Sequence, residues 1–120
     1  MSVVVVNILG TKYKILVQTA EENPKLTDSN GLCEWVSKKI ILDTSYRKEP
    51  NALENIDEYI HKVLRHEAFH ALFAEMGIRT WMEDEALIDA LAMQYPKIKD
   101  IMDYLDNLDI PLLEKSGNGE

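Results

Sequence analysis

His66-Glu67-Ala68-Phe69-His70 constrains what this chain can fold into more than any other stretch. Its three polar side chains can act together only if the backbone there is helical. Residues four apart on an α-helix differ by about 40° around the axis, so His66 and His70 project to one side, one above the other. Two imidazoles placed in this way can share one metal ion, and Glu67 then stands beside that ion. With three histidines in 120 residues, random placement gives roughly 0.007 matches to His-Glu-x-x-His, so coincidence is a poor account of the motif. A lone histidine on an apolar face is most often a hydrogen-bonded core residue. The pair with Glu67 between reverses that expectation.

The surrounding pattern predicts the required helix. Pro50-Asn51-Ala52-Leu53-Glu54 reads as its start, with Asn51 as N-cap and Glu54 reaching back in the manner of a capping box. Gly77 supplies the stop. Between them Leu53, Ile56, Ile60, Val63, Leu64, Ala71 and Ala74 fall within an arc of about 100°, a core-facing stripe bordered by His66 and His70. His61 points away from both, toward Asp57 and Glu75 on the polar side, and is expected to be solvated.

Two helical histidines leave a metal in need of a third ligand. Downstream there is no histidine or cysteine, only Glu75, Glu83, Asp84, Glu85 and Asp89. Glu85 and Asp89 are four apart and share a face with Ile88 and Ala92 on a second apolar helix, where acids need partners. Glu85 on the metal, with Asp89 accepting the other ring N–H of a ligand histidine, would satisfy both. Glu83 competes as ligand but has no acid four residues on, and Glu83 and Asp84 also suit a helix N-terminus. The expected set is therefore one Zn²⁺ per chain on His66, His70 and Glu85, with Asp89 behind a ligand and Glu67 as catalytic base. Tyr46, Tyr59, Tyr95 and His61 are all open as a second donor to the developing oxyanion.

Composition sets the scale of the fold. At 46% hydrophobic the chain has enough apolar surface for one core, so residues 1–111 are expected to form a single domain and 112–120, ending Ser-Gly-Asn-Gly-Glu, a flexible tail. The single Cys33 excludes an internal disulfide and suits a reducing, cytoplasmic setting. Met1 to Leu9 lacks a basic flank and the length for a signal peptide or membrane span. A net charge of −8 argues against direct nucleic-acid binding, with only Lys38-Lys39 and Arg47-Lys48 as short basic pairs.

Hydrophobic alternation predicts an α+β order. Val3 to Leu9 and Tyr13 to Gln18 read as a hairpin turning at Gly10-Thr11, and Leu32 to Val36 and Lys39 to Asp43 as a second hairpin about Ser37-Lys38. Cys33 is then an ordinary strand residue. Thr19 to Gly31 has loop composition. Lys39 to Asp43 is the candidate strand for pairing with an extended peptide. The second helix is expected to end near Tyr95-Pro96, and Ile98, Ile101, Leu105 and Leu108 to form a third helix packed on the sheet. The expected whole is a small sheet of three to four strands, antiparallel or mixed, packed on about three helices.

His-Glu-x-x-His followed by Glu-x-x-x-Asp, after a short N-terminal sheet, resembles the gluzincin group of zinc peptidases. Within it, the chain looks most like a minimal ImmA/IrrE-type metallopeptidase. The similarity runs from about Gly31 to Pro96, through Lys39-Ile40-Ile41-Leu42, Leu64-Arg65-His66-Glu67-Ala68-Phe69-His70-Ala71-Leu72, Met76-Gly77 and the acidic helix to Ala92. The resemblance implies a zincin-like domain with zinc on His66, His70 and Glu85, Glu67 catalytic, and a protein or peptide substrate. Such enzymes occur in bacteria, phages and mobile elements, and some cleave a repressor. Ala90 departs from the pattern, standing where relatives often carry an aromatic residue. Two other readings remain: a zinc-binding interaction or regulatory module without proteolysis, and a metal-free scaffold with structural histidines.

Overall fold

In the computed structural model, which describes residues 3–49 and 54–111, four strands precede three α-helices. Strands β1 (Val3–Ile8) and β2 (Thr11–Val17) form the expected antiparallel hairpin, with Val6 opposite Tyr13 and Ile8 opposite Thr11. The turn falls one residue earlier than Gly10-Thr11. Leu9 and Gly10 take φ of 51° and 91°, and a two-residue hairpin turn with both φ positive matches the right-handed twist of the strands. The second hairpin pairs β3 (Gly31–Glu34) antiparallel with β4 (Lys39–Leu42). Strand β4 also lies parallel to β2, so the sheet is mixed and its order is β1-β2-β4-β3.

That order overturns one expectation. Lys39 to Asp43, read as a strand free to receive a peptide, is β4 and has neighbours on both edges. Ile40, Ile41 and Leu42 are all buried, and a continuous apolar run of this kind belongs to a strand covered on both faces. The outer position next to β4 goes to β3 instead.

Tyr13, Ile40, Leu42 and Ile8 gather with Ala71 of helix α1 (Ile56–Met76) into the main core. A second cluster joins Phe73, Met82 and Ile88 between α1, the short helix α2 (Arg79–Met82) and α3 (Glu85–Asp106). The predicted N-cap Asn51 lies outside the described residues. The helix itself begins at Ile56, after Asn55 in a left-handed conformation at φ 57°, so its start is later than the Pro50–Glu54 signal. Its end is as expected: Gly77 at φ 77° donates to the Ala74 carbonyl and Ile78 to that of Phe73, which closes the last turn in a Schellman motif.

Glu75, placed by its spacing on the polar side, is a clamp between this helix and the sheet. It accepts from Thr11 Oγ1, Tyr13 Oη and Lys38 Nζ, each at 2.7 Å. These hydrogen bonds, that from Lys38 foremost, hold its carboxyl down at about 2.

The predicted break at Pro96 does not occur. Helix α3 runs unbroken from Glu85 to Asp106 with Pro96 inside it. Proline has no N–H to give the carbonyl four residues back, that of Ala92. Arg65 of α1 supplies the missing donor, with Nε 2.9 Å from Ala92 O. Beyond Ala92 no residue of α3 is buried, and Ile101 and Leu105 are 56% and 49% exposed, so this segment does not pack on the sheet as expected. The tail assigned to 112–120 lies outside the described residues. Among the described residues, no helix is long and apolar enough to cross a membrane.

Candidate metal centre

Helix α1 presents Lys62, His66 and His70 along one face, because each follows the last by four residues. Helix α3 enters the same space from the other side. Asp84 caps it, its side chain accepting from Leu87 N, which suits the helix-start role read for this residue. Glu85 follows in the first turn and points between the two imidazoles. Its Oε2 lies 3.0 Å from His66 Nε2, and its Oε1 lies 2.7 Å from His70 Nε2. One ligand atom from each of the three residues falls within 4.8 Å of the other two.

The far sides of the rings decide which nitrogen carries a lone pair. His70 Nδ1 lies 2.6 Å from the carbonyl oxygen of Met82. A carbonyl only accepts, so Nδ1 holds the proton and a neutral ring turns its Nε2 lone pair toward Glu85. His66 has the carboxylate of Asp89 3.4 Å from Nδ1, an acceptor on the corresponding side. With both rings neutral, two imidazole lone pairs and a carboxylate converge, an arrangement that a shared metal ion or the protons of the rings themselves would relieve. Two nitrogens and an oxygen with one side open suit a divalent metal ion such as zinc. The residues fit the group. His66 and His70 side chains are 18% and 16% exposed against 69% for Glu85, so solvent reaches the site from the α3 side.

Glu67 turns about 100° from His66, toward β3, and is 8% exposed. Its neighbour is Gly31, where a Cβ would stand 2.8 Å from Val63 Cγ1 and 3.1 Å from both Glu67 Cγ and Oε2. Only glycine lets the strand come this close to the helix. Burial pushes the Glu67 carboxyl up to about 7; the His66 ring opposes that shift, and the negative charge of Glu85 adds to it.

A cavity of about 300 Å³ lies over the site, lined by Gly31, Cys33, His66, Glu67, His70 and Glu85 among others. A second, of about 260 Å³, shares His66, Glu67 and Glu85 and continues past Asn30, Tyr59, Lys62 and Asp89. Cys33 is a strand residue as expected, but it also lines the first cavity, and burial, with the Glu67 charge adding, pushes its thiol up to about 12.

All five residues singled out by spacing, His66, Glu67, His70, Glu85 and Asp89, meet here. Glu83 lies apart, within 3.8 Å of Arg79, and Glu75 is the clamp on the sheet. The four possible oxyanion donors separate cleanly. Tyr59 lines the cavity, whereas Tyr95 packs beside Phe69 with ring centroids 6.4 Å apart. Tyr46 keeps a buried hydroxyl without a partner among the described residues. His61, exposed as expected, has Nδ1 2.8 Å from the Asp57 carbonyl oxygen of its own helix.

Sequence reasoning missed Gly31, the Met82 carbonyl and Lys62. Lys62 was legible, four residues before His66; a main-chain carbonyl brought in by a four-residue helix has no side-chain signal. No family model, no curated protein and no solved structure matches this chain.

Proposed function

We propose that this protein is a zinc-dependent endopeptidase with a zincin-like catalytic domain, similar to the ImmA/IrrE metallopeptidases and acting on a specific protein substrate. One observation carries the reading: a ring nitrogen of His66, one of His70 and a Glu85 oxygen converge within 4.8 Å while a buried carboxylate, Glu67, lines the same cavity. Imidazole and carboxylate donors in this number suit zinc, and His66, His70 and Glu85 would hold it. Zinc, when bound, supplies Lewis acidity and brings the pKa of a coordinated water down toward about 7.

The chain's own residues do the rest. Glu67 accepts a proton from the attacking water and returns it to the leaving amide nitrogen. Glu67 is buried beside the would-be ligands, where a carboxylate can reach a water on the metal and carry its proton across. Strand β3 has β4 on one side only and passes beside Glu67, so its outer edge can align an extended peptide as an added strand. This role moves to β3 from the strand first considered for it. Asn30 Nδ2 donates to Tyr59 Oη at 2.9 Å, which leaves the phenol proton free for a substrate carbonyl.

The test is to incubate zinc-loaded protein with candidate partner proteins encoded in its genomic neighbourhood, repressors included, and to compare Glu67→Gln. Specific cleavage lost in the variant while one zinc per chain is retained supports the endopeptidase. Partner binding without cleavage, unchanged by Glu67→Gln, supports a zinc-binding regulatory module instead. Zinc well below one per chain in the purified wild type rejects both.

A further inference from the structure

We infer that Lys62 is a positioning residue of the metal centre, acting through Asp89 on His66; the inference rests on the metal-site reading above. On α1, Lys62, His66 and His70 recur every four residues, and on α3 Glu85 and Asp89 do the same. The two rows interleave in opposite directions. Lys62 Nζ lies 3.0 Å from Asp89 Oδ1, Asp89 Oδ1 3.4 Å from His66 Nδ1, His66 Nε2 3.0 Å from Glu85 Oε2, and Glu85 Oε1 2.7 Å from His70 Nε2. Basic groups alternate with carboxylates along the whole ladder.

The two histidines are not held equally. His70 is fixed by a main-chain carbonyl at 2.6 Å, which cannot turn away. His66 depends on a carboxylate that is 45% exposed, at a distance long for a hydrogen bond. Such a side chain can trade the ring for water at little cost. Lys62 is 26% exposed and places its ammonium on Oδ1, the same oxygen that faces the imidazole. It thereby keeps that oxygen at the ring, and offsets a third acid beside Glu67 and Glu85. Partners behind a ligand histidine typically change metal affinity about 10- to 100-fold when lost. An exposed ion pair between helices, by contrast, contributes little to stability.

The experiment is zinc affinity by competition with a chromophoric chelator, alongside the visible spectrum of the cobalt-loaded protein, on the full chain. Lys62→Gln is expected to weaken zinc binding about tenfold and to perturb the cobalt spectrum. Lys62→Arg should restore most of the affinity, since it keeps the charge and a donor. Adding Lys62→Gln to Asp89→Asn should cause no further loss. Lys62→Met, which keeps the stem's packing, serves as the second neutral variant and must show the same weakening.

Wild-type affinity in a folded neutral variant, or an equal loss in the Asp89→Asn background, overturns the positioning role and leaves the metal site standing. Absence of zinc binding by the wild-type chain overturns the metal site and this role together.

Discussion

A carboxyl that is 8% exposed, with Glu85 nearby, resists ionisation, and Glu67 therefore links the chemistry of the site to the stability of the fold. In the metal-free folded chain its pKa is about 7 against an ordinary 4.5, so the folded state binds the proton more tightly than the unfolded state. Its contribution is whole below the lower value and is lost as pH rises through the upper one. Chelator-treated Glu67→Gln should therefore gain stability relative to wild type between about pH 5 and pH 8. Urea midpoints across that range measure it, and parallel curves for the two proteins would contradict the assignment. Gly31 makes a second prediction. A methyl group 2.8 Å from Val63 Cγ1 must push the strand or Glu67 aside, so Gly31→Ala should cost about 1 to 3 kcal/mol by overpacking. On the proposed function it should also lower turnover more than zinc affinity, because the displaced group is the proposed base and not a proposed ligand. Helical spacing made His66, Glu67, His70, Glu85 and Asp89 readable in advance, whereas Gly31 owes its role to a strand that sequence does not place against the helix.

Among the elements, α3 departs furthest from local rules. A proline in a helix interior costs about 3 kcal/mol or more, partly through the carbonyl it orphans. Arg65 Nε answers that carbonyl at 2.9 Å from Ala92 O. Arg65→Ala should thus destabilise the protein by about 1 to 3 kcal/mol, and by clearly less in a Pro96→Ala background, where the backbone N–H at 96 returns to the Ala92 carbonyl. A double-mutant cycle by urea unfolding should show coupling on the order of 1 kcal/mol; strictly additive losses would rule the compensation out. Proline punctuation was a sound local signal that a donor from another helix overrode. The β1–β2 and β3–β4 hairpins were legible because turn residues and alternation are local. The parallel β2–β4 pairing was not, since neither strand records its partner, and it made a presumed outer strand an inner one.

For the whole molecule, the candidate centre is a junction: His66 and His70 come from α1, Glu85 and Asp89 from α3, and α2 between them delivers the Met82 carbonyl. A metal held there ties elements that are separate in the unfolded chain. Zinc at about 100 times its Kd should stabilise the fold by about 2.7 kcal/mol, reversed by a chelator and reduced in Glu85→Ala. Thermal melts with and without zinc measure it, and melts that ignore zinc would remove the junction from the account. The amino-acid order alone settled the α+β succession, the helix that carries His66 and His70 and its glycine stop, and which side chains could share an ion, because 3.6-residue and two-residue periodicities and turn chemistry act over a few neighbours. Strand order, the continuity of α3 through Pro96 and the closeness of Gly31 to Glu67 were decided by packing. Each depends on a contact between segments far apart in sequence, where a donor, a methyl-sized space or a free edge exists only once both are in place.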